Sequence, residues 1–461
     1  VTDLNNIGQV YFLGIGGIGM SALARYFKVS GKKVAGYDRT STDLTLQLER
    51  EGIGVHHEDS ADLIPPDFLD PAVTVVIITP AIPADHSELA YFHSHAFLVC
   101  KRSEILGLIT RGKKTIAVAG THGKTTVSTM IAHLMTKAGP GCSAFLGGIS
   151  RNFNSNLVLD TTSEWMVAEA DEFDRSFLHL FPWAAVVTAM DPDHLDIYGN
   201  VPEMHAAFNQ FVAQINSGGI LLMKYGLPIR KSAMPGRVYT YSLQGKGDFR
   251  AGNIRLHNRK YHFDLIGPEL KIEDISLIHP GMVNVENAVA ACSLAVLSGL
   301  KPEMIRRAMA DFAGIQRRFE YQIISENRVF IDDYAHHPRE IEATILSLRD
   351  LYPGKKLTGI FQPHLFTRTR DFADGFAESL SLLDELILLD IYPARELPIQ
   401  GVTAEMIFNK VRLSNKIMCS KDDLLDEVRK REPEVLITLG AGDIDKLVEP
   451  IKKQLMRLQE K

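Results

Sequence analysis

Cysteine is scarce: Cys100, Cys142, Cys292 and Cys419 are the four in 461 residues, and no two form a CxxC pair. That spacing excludes a disulfide framework and a cysteine-built structural zinc site, and it fits a reducing, cytoplasmic setting. A basic excess is also missing. Fifty Lys+Arg against 56 Asp+Glu leave a net charge of −6, so neither nucleic acid nor a membrane surface is an expected partner. No uninterrupted apolar run approaches the roughly 18 residues of a membrane-spanning helix. Val1 to Val10 lacks a basic segment leading into an apolar core, so no signal peptide is expected. There is no internal repeat and no low-complexity tract. What is present, 45% hydrophobic and 23% charged residues, belongs to an ordinary globular chain. At about 150 residues per domain, the length suggests about three domains.

Short apolar runs alternate with helical stretches throughout, which predicts an α/β fold. Val10–Leu13, Lys33–Tyr37 and Val73–Thr79 read as buried strands, the last stopped by Pro80 and Pro83. A second α/β pattern begins at the strand Thr115–Ala119. It continues through Trp165–Ala168 and Ala184–Thr188, with a hairpin character over residues 235–280 and an apolar helix at Asn287–Leu297. A third pattern has strands Val329–Ile331, Leu357–Phe361, Leu386–Leu389 and Val435–Leu439. Boundaries near 106 and 316 divide the chain into 1–106, 107–316 and 317–461. The first and third domains are expected to be Rossmann-like, and the central one of the P-loop ATPase type.

Two glycine turns carry the chemistry. Gly14, Gly16, Gly17 and Gly19 follow the first strand and open a helix, with Asp38 at the end of the next strand, 24 residues after Gly14. Glycines there permit a tight turn and close approach of backbone N–H groups to a pyrophosphate, which the helix N-terminus also favours. Asp38 would meet a ribose or base. NAD, FAD and a UDP-sugar all suit this turn. The second turn is Gly120-Thr121-His122-Gly123-Lys124-Thr125-Thr126, again between strand and helix. It is a variant phosphate cradle: backbone N–H groups wrap phosphate, Lys124 adds a point charge, and the Thr125 hydroxyl suits Mg²⁺. Val118 stands where the standard pattern has its first glycine. ATP is the expected ligand.

Acidic clusters follow the next two strands: Glu169-Ala-Asp171-Glu172-Phe-Asp174, and Asp191-Pro-Asp193-His194-Leu-Asp196. Carboxylates at strand ends beside a phosphate loop are where Mg²⁺ finds ligands. On these residues alone, an NAD-dependent oxidoreductase with an ATP-binding domain and a non-catalytic nucleotide binder both stay open. The chain shows no hydride-transfer constellation, however, and Lys124 with Glu169 and His194 exceeds what a mere binder needs. The pair His336-His337 before Pro338 could equally be turn residues.

GIGGIGMSALA, AGTHGKTT, AEADEFD and DPDHLD, in this order, resemble the Mur ligases of peptidoglycan synthesis. Asn284-Val-Glu-Asn287, Gln316-Arg-Arg318-Phe, Asp332-Asp333-Tyr-Ala-His336-His337-Pro, Gln362-Pro-His364, Thr367-Arg368 and Gly440-Ala-Gly442-Asp extend the likeness over the whole chain. The resemblance points to the alanine-adding branch. It implies ATP, UDP-N-acetylmuramate and L-alanine as substrates, Mg²⁺ (or Mn²⁺) as cofactor, and an acyl-phosphate intermediate. It puts the pyrophosphate on Gly14–Gly19 and ATP phosphates on Gly120–Thr126. Metal would lie on Thr125, Glu169 and His194, adenine beside Asn284 and Asn287, and Arg318 and Asp333 would face the phosphates and ribose. The catalytic set it implies is Lys124, His194, Arg318, His336 and His337, with the incoming amino acid held by His364 and Arg368. A recycling ligase that adds a whole murein peptide to the same nucleotide is the alternative, although its first glycine turn usually departs from GxGGxG. Leu365 stands where the family commonly has Arg, and Val283 where it often has His. No lysine lies between Lys137 and Lys224, so the metal-bridging carbamylated lysine of the later Mur ligases has no counterpart, as the alanine-adding branch implies.

Overall fold

Runs of Val, Ile, Leu and Ala bounded by glycine turns build three sheets in the computed structural model, which describes residues 7–459 apart from 193–194, 231–233, 235 and 395. In the first sheet, β1 (Gln9–Leu13), β2 (Lys33–Tyr37), β3 (Gly54–His56), β4 (Thr74–Ile78) and β5 (Leu98–Lys101) lie in the order β3-β2-β1-β4-β5. All four pairings are parallel. Val10 to Leu13 are fully buried, as a parallel strand covered on both faces requires. The strand order reverses between β1 and β4, which opens a crevice at the carboxyl ends of the strands, beside the first glycine turn.

The second sheet comprises β6 (Lys114–Ala119), β7 (Ser143–Ser150), β8 (Ser155–Val158), β9 (Trp165–Ala170), β10 (Ala184–Val187), β11 (Ile220–Lys224), β12 (Arg237–Ser242), β13 (Phe249–His257), β14 (Lys260–Gly267) and β15 (Leu270–Leu277). Its order is β15-β14-β13-β12-β11-β10-β6-β9-β7-β8. β6 sits between β9 and β10, parallel to both. The phosphate loop therefore leaves the sheet flanked by the two strand ends that carry the acidic clusters. Residues 235–280 depart from the simple hairpin reading. β12 and β13 pair in parallel, through Tyr241–Phe249 and Ser242–Arg250. Asp248 accepts hydrogen bonds from the backbone N–H and hydroxyl of Thr240, at 2.7 Å each. This closes residues 243–248 into a loop that brings the chain back alongside itself.

The third sheet contains β16 (Glu320–Ile324), β17 (Val329–Asp333), β18 (Leu357–Phe361), β19 (Glu385–Leu388), β20 (Lys416–Met418) and β21 (Val435–Leu439), ordered β16-β17-β21-β18-β19-β20. Only β16, at an edge, runs antiparallel. The fold is α/β with three sheets. Contacts gather the chain into two compact units. The first is 7–255, 262–276 and 286–313, and the second is 256–261, 277–285 and 314–459. Among the described residues, no helix is long and apolar enough to cross a membrane.

Within the first unit, Arg25 on the helix Ile18–Val29 ties the first sheet to the second. Its Nη1 donates to Asn156 Oδ1 on β8 at 2.7 Å, and its Nε to Glu51 at 2.8 Å. Asn156 Nδ2 in turn donates to Ser21 Oγ at 3.0 Å. The helix that opens at the first glycine turn is thus held against the sheet that carries the phosphate loop.

Candidate active site

The phosphate loop needs its glycines. Gly120 has φ +136° and Gly123 φ +83°, backbone that favours glycine. A Cβ on Gly120 would lie 2.2 Å from Thr188 Oγ1. The helix Lys124–Ala138 then starts with no side-chain cap, which leaves its first N–H groups for an anion. Lys124 Nζ donates to Gly120 O at 2.8 Å and to both oxygens of Glu172, at 2.7 and 2.9 Å. Burial pulls its pKa down, but Glu172, Asp171 and Glu169 outweigh that and hold it above the ordinary lysine value. The ammonium stays charged. Thr121, Thr125 and Thr126 are buried, and His122 Nε2 lies 3.7 Å from Asp191 Oδ2. The Thr121 hydroxyl accepts from Asp191 N–H at 3.1 Å, so the second acidic loop is anchored on the phosphate loop. A Cβ on Gly123 would stand 2.9 Å from Asn287 Oδ1, which places that buried amide against the same loop.

The donor set fits a hard cation. Thr125 Oγ1 lies 3.0 Å from Glu169 Oε2, both oxygen ligands of the kind Mg²⁺ prefers. Gly147 makes room for them, since a Cβ there would lie 2.1 Å from the Glu169 carboxylate. His194, the other metal candidate, lies outside the described residues.

The first glycine turn folds back on Asp38. Gly16 N–H donates to Asp38 Oδ2 at 2.8 Å, and Thr40 N–H to its Oδ1 at 3.1 Å. Gly14 N–H donates to Tyr37 O at 2.8 Å. Asp38 thus closes the turn, and a Cβ on Gly16 would stand 2.8 Å from it. Gly17 and Gly19 line a cavity of about 270 Å³, together with Met20, Arg102, Glu169 and Asp171. This cavity joins the uncapped helix start after the first turn to the carboxylates beside the second. Arg102 is a site residue that the motifs do not mark. It opens the helix Arg102–Thr110 directly after β5, with Nη2 3.7 Å from Asp171 and Nη1 2.6 Å from a Cβ built on Gly19. Its signal was a basic pair, Lys101-Arg102, at a strand-to-helix junction. Glu172, the partner of Lys124, was visible only as one of several acids.

In the second unit, a strained loop presents Arg318 between Arg317 (φ +58°) and Phe319 (φ +48°). The guanidinium carbons of Arg317 and Arg318 lie 5.2 and 5.0 Å from the Tyr334 ring centroid. Arg318 Nη1 lies 3.9 Å from Glu340. His279 fixes the Arg318 backbone, with Nε2 2.8 Å from its carbonyl. Burial pushes the pKa of His279 down to about 4, so the neutral ring donates through Nε2–H. Asp333 ends β17 and accepts from Ala335 N–H at 2.9 Å and the Thr344 hydroxyl at 3.0 Å. Burial, partly offset by Arg318, pushes it up to about 6.

His336 and His364 come together, with ring centroids 6.2 Å apart, and His364 stacks on Tyr392 at 5.9 Å. Burial takes the pKa of His336 down to about 4; Glu340 opposes this and Arg368 adds to it. At neutral pH His336 is therefore an uncharged imidazole beside the Arg368 cation. His337 takes another place: it caps the helix Pro338–Leu351, accepting from Arg339 N–H at 3.4 Å, and packs edge-on against Phe372 at 4.9 Å. Leu365 stands before the helix Phe366–Leu380 with φ +71°, a conformation costly for a branched residue. Asn284 donates to Pro280 O at 2.7 Å. The sequence assigned no role to Tyr334, Glu340, His279 or Tyr392, because their contacts with Arg318 and His364 join residues distant in the chain.

Comparison with known proteins gives a consistent picture. The model described as "Mur ligase family, catalytic domain" matches residues 9–114, "Mur ligase middle domain" 118–295, and "Mur ligase, glutamate ligase domain" 317–442. The chain is 52% identical over 456 residues to a UDP-N-acetylmuramate–L-alanine ligase of Parabacteroides distasonis, covering 99% of each chain. It is 46% identical to the protein of the same name from Cytophaga hutchinsonii, covering 98% of this chain and 97% of that one. Among solved structures, it is similar to a UDP-N-acetylmuramate-alanine ligase from Thermotoga maritima, with TM-score 0.81, 26% identity, and coverage of 98% and 99%.

Proposed function

The chain belongs to the Mur ligase family, and from that premise we propose that it joins L-alanine to the lactyl carboxylate of UDP-N-acetylmuramate at the expense of ATP. This is a step in making the peptidoglycan precursor. The reading rests on relatives of that name over the full length. The observation that carries the residue roles is the cavity in which the helix start at Gly17–Met20 faces Glu169 and Asp171. Residues 1–106 would hold the UDP-sugar, 107–316 the ATP, and 317–461 the amino acid.

The carboxylate attacks the γ-phosphorus of ATP, ADP departs, and an acyl phosphate forms. The alanine amine then attacks the acyl carbon and phosphate leaves, giving the amide. The first step brings two anions together, so positive charge must meet them. Lys124 is buried among carboxylates that keep it protonated, and it supplies that charge to the phosphates together with the open N–H groups of Gly123–Thr125. Arg102 and the helix start at Gly17 neutralise the UDP-sugar. Thr125 and Glu169 would hold Mg²⁺, which when bound neutralises phosphate charge. On the chemistry of the second unit, Arg318 is assigned to phosphate charge and Arg368 to the carboxylate of the amino acid. His336, neutral at pH 7, would lie beside the reacting end of the substrate. The four cysteines are free, in keeping with a cytoplasmic enzyme.

The test is phosphate release from ATP across a matrix of UDP-sugars and amino acids. Release should require both UDP-N-acetylmuramate and L-alanine. Release that instead prefers a murein tripeptide as acceptor would replace this reading with that of a recycling ligase.

A further inference from the structure

A second cluster of potential ligands lies in the first sheet, away from the phosphate loop. Asp59 follows β3, His86 precedes the helix Ser87–Ser94, and Glu88 sits in that helix's first turn. One ligand-type atom from each of the three lies within 4.8 Å of the other two. His86 Nδ1 is 3.3 Å from Asp59 Oδ1, the imidazole is 2% exposed, and Asp59 is 39% exposed. Glu88 is fully buried. Both ring nitrogens of His86 and Oε1 of Glu88 are buried without a hydrogen-bond partner. Burying such groups unpaired is costly.

The surrounding contacts leave the His86 nitrogens and Glu88 Oε1 open, while Asp59 Oδ1 is shared with Ser87. Tyr11 donates to Glu88 Oε2 at 2.7 Å, which occupies the other carboxylate oxygen. His56 Nε2 meets Tyr11 Oη at 2.8 Å and lies 3.5 Å from Glu88 Oε1. Asp59 accepts from the Ser87 N–H at 3.0 Å and from the Ser87 hydroxyl. The Tyr37 ring packs on His86 at 4.5 Å, so the imidazole's orientation is set by packing.

We propose that Asp59, His86 and Glu88 form a Zn²⁺ site that clips the carboxyl end of β3 to the segment following β4. One imidazole nitrogen and two carboxylate oxygens are a ligand set that Zn²⁺ takes, with water in a fourth position on the exposed side of Asp59. Zinc bonds of about 2.0–2.1 Å place tetrahedral ligand atoms about 3.3–3.4 Å apart, which matches the His86–Asp59 separation. The bound ion would satisfy one His86 nitrogen and Glu88 Oε1 together. It also joins two crossover segments of one sheet, so it stabilises the folded chain.

The probe is Co²⁺ titrated into the metal-stripped full-length chain without nucleotide, followed by visible absorption and by thermal melting. One equivalent should give the intense visible bands of four-coordinate Co²⁺, and Zn²⁺ should displace it and raise the Tm. His86→Ala should abolish the visible bands and the Tm rise, with His86→Asn repeating the measurement if the alanine variant does not fold. Glu169→Gln should leave the bands unchanged, which separates this site from the one beside the phosphate loop. Absence of four-coordinate bands, or bands and a Tm shift that survive in both His86 variants, overturns the proposal and reduces the metal to an adventitious ion only.

Discussion

At the scale of single residues, the site works by holding charge where it can be spent on a second anion. Lys124 rests on Glu172 and Gly120 O, so its ammonium is oriented before any phosphate arrives. Lys124→Ala should lower ATP-dependent phosphate release by roughly 10²–10³-fold, the scale of losing a charge aimed at a developing anion. Binding of UDP-N-acetylmuramate, measured by calorimetry, should survive, because Gly17–Met20 and Arg102 do not depend on that lysine. A parallel collapse of UDP-sugar affinity would mean the two nucleotide sites are not separate. Arg102→Gln makes the converse case. A lost charge-assisted hydrogen bond of about 1.5–3 kcal/mol should raise the KM for UDP-N-acetylmuramate roughly 10- to 100-fold and leave the KM for ATP near its wild-type value.

At the scale of elements, strand ends and helix starts decide which residues can meet. Gly120→Ala puts a Cβ 2.2 Å from Thr188 Oγ1 at φ +136°. The loop between β6 and the helix Lys124–Ala138 must then move, and ATP affinity should fall while circular dichroism stays native. Arg25 is the equivalent device between sheets. Its side chain is 10% exposed and that of Glu51 42%, so solvent screens the ion pair, and most of the loss in Arg25→Ala comes from stranding the buried Asn156. A cost of about 2–3 kcal/mol, read from the urea midpoint, is expected. An unchanged midpoint would show that the tie between the helix Ile18–Val29 and β8 is dispensable.

At the scale of the whole molecule, the second unit carries an acid sensitivity of its own. His279 and His336 are pushed down to about 4 from an ordinary 6.5. Between those values the unfolded chain binds more protons, so stability rises with pH across that window. Asp333, pushed up to about 6 from 3.8, has the opposite sign and loses stability as pH rises from 3.8 to 6. Asp332, which burial also raises, acts with Asp333 against the two imidazoles. His279→Gln should therefore make the unfolding midpoint of the second unit rise less, or fall more, between pH 4 and 6.5 than it does in the wild-type chain. An unchanged pH dependence in that variant would contradict the assignment of a neutral, buried imidazole.

Much of this was legible in the order of residues. β18 and β21 run over the residues read as strands, because Leu357–Phe361 and Val435–Leu439 are short, mostly apolar runs free of charge and proline. The phosphate loop was equally plain, since its glycines and Lys124 are contiguous. β3 and β20, three residues each, were not legible: so few residues carry no period, and they become strands only because a neighbouring edge offers them hydrogen bonds. The parallel pairing of β12 with β13 was hidden for a similar reason, because it depends on Asp248 reaching back to Thr240.

The amino-acid order by itself determined the local chemistry: where anions could be gripped, which strand ends carried acid, and the family those motifs resemble. Only the tertiary structure decided that Arg102 joins the first glycine turn, that Glu172 rather than Glu169 holds Lys124, and that His336 meets His364 while His337 caps a helix. The division has a physical cause. A turn or a cradle is made of neighbours in the chain, whereas the charge a side chain carries and the partner it meets depend on burial and on residues that only folding brings near.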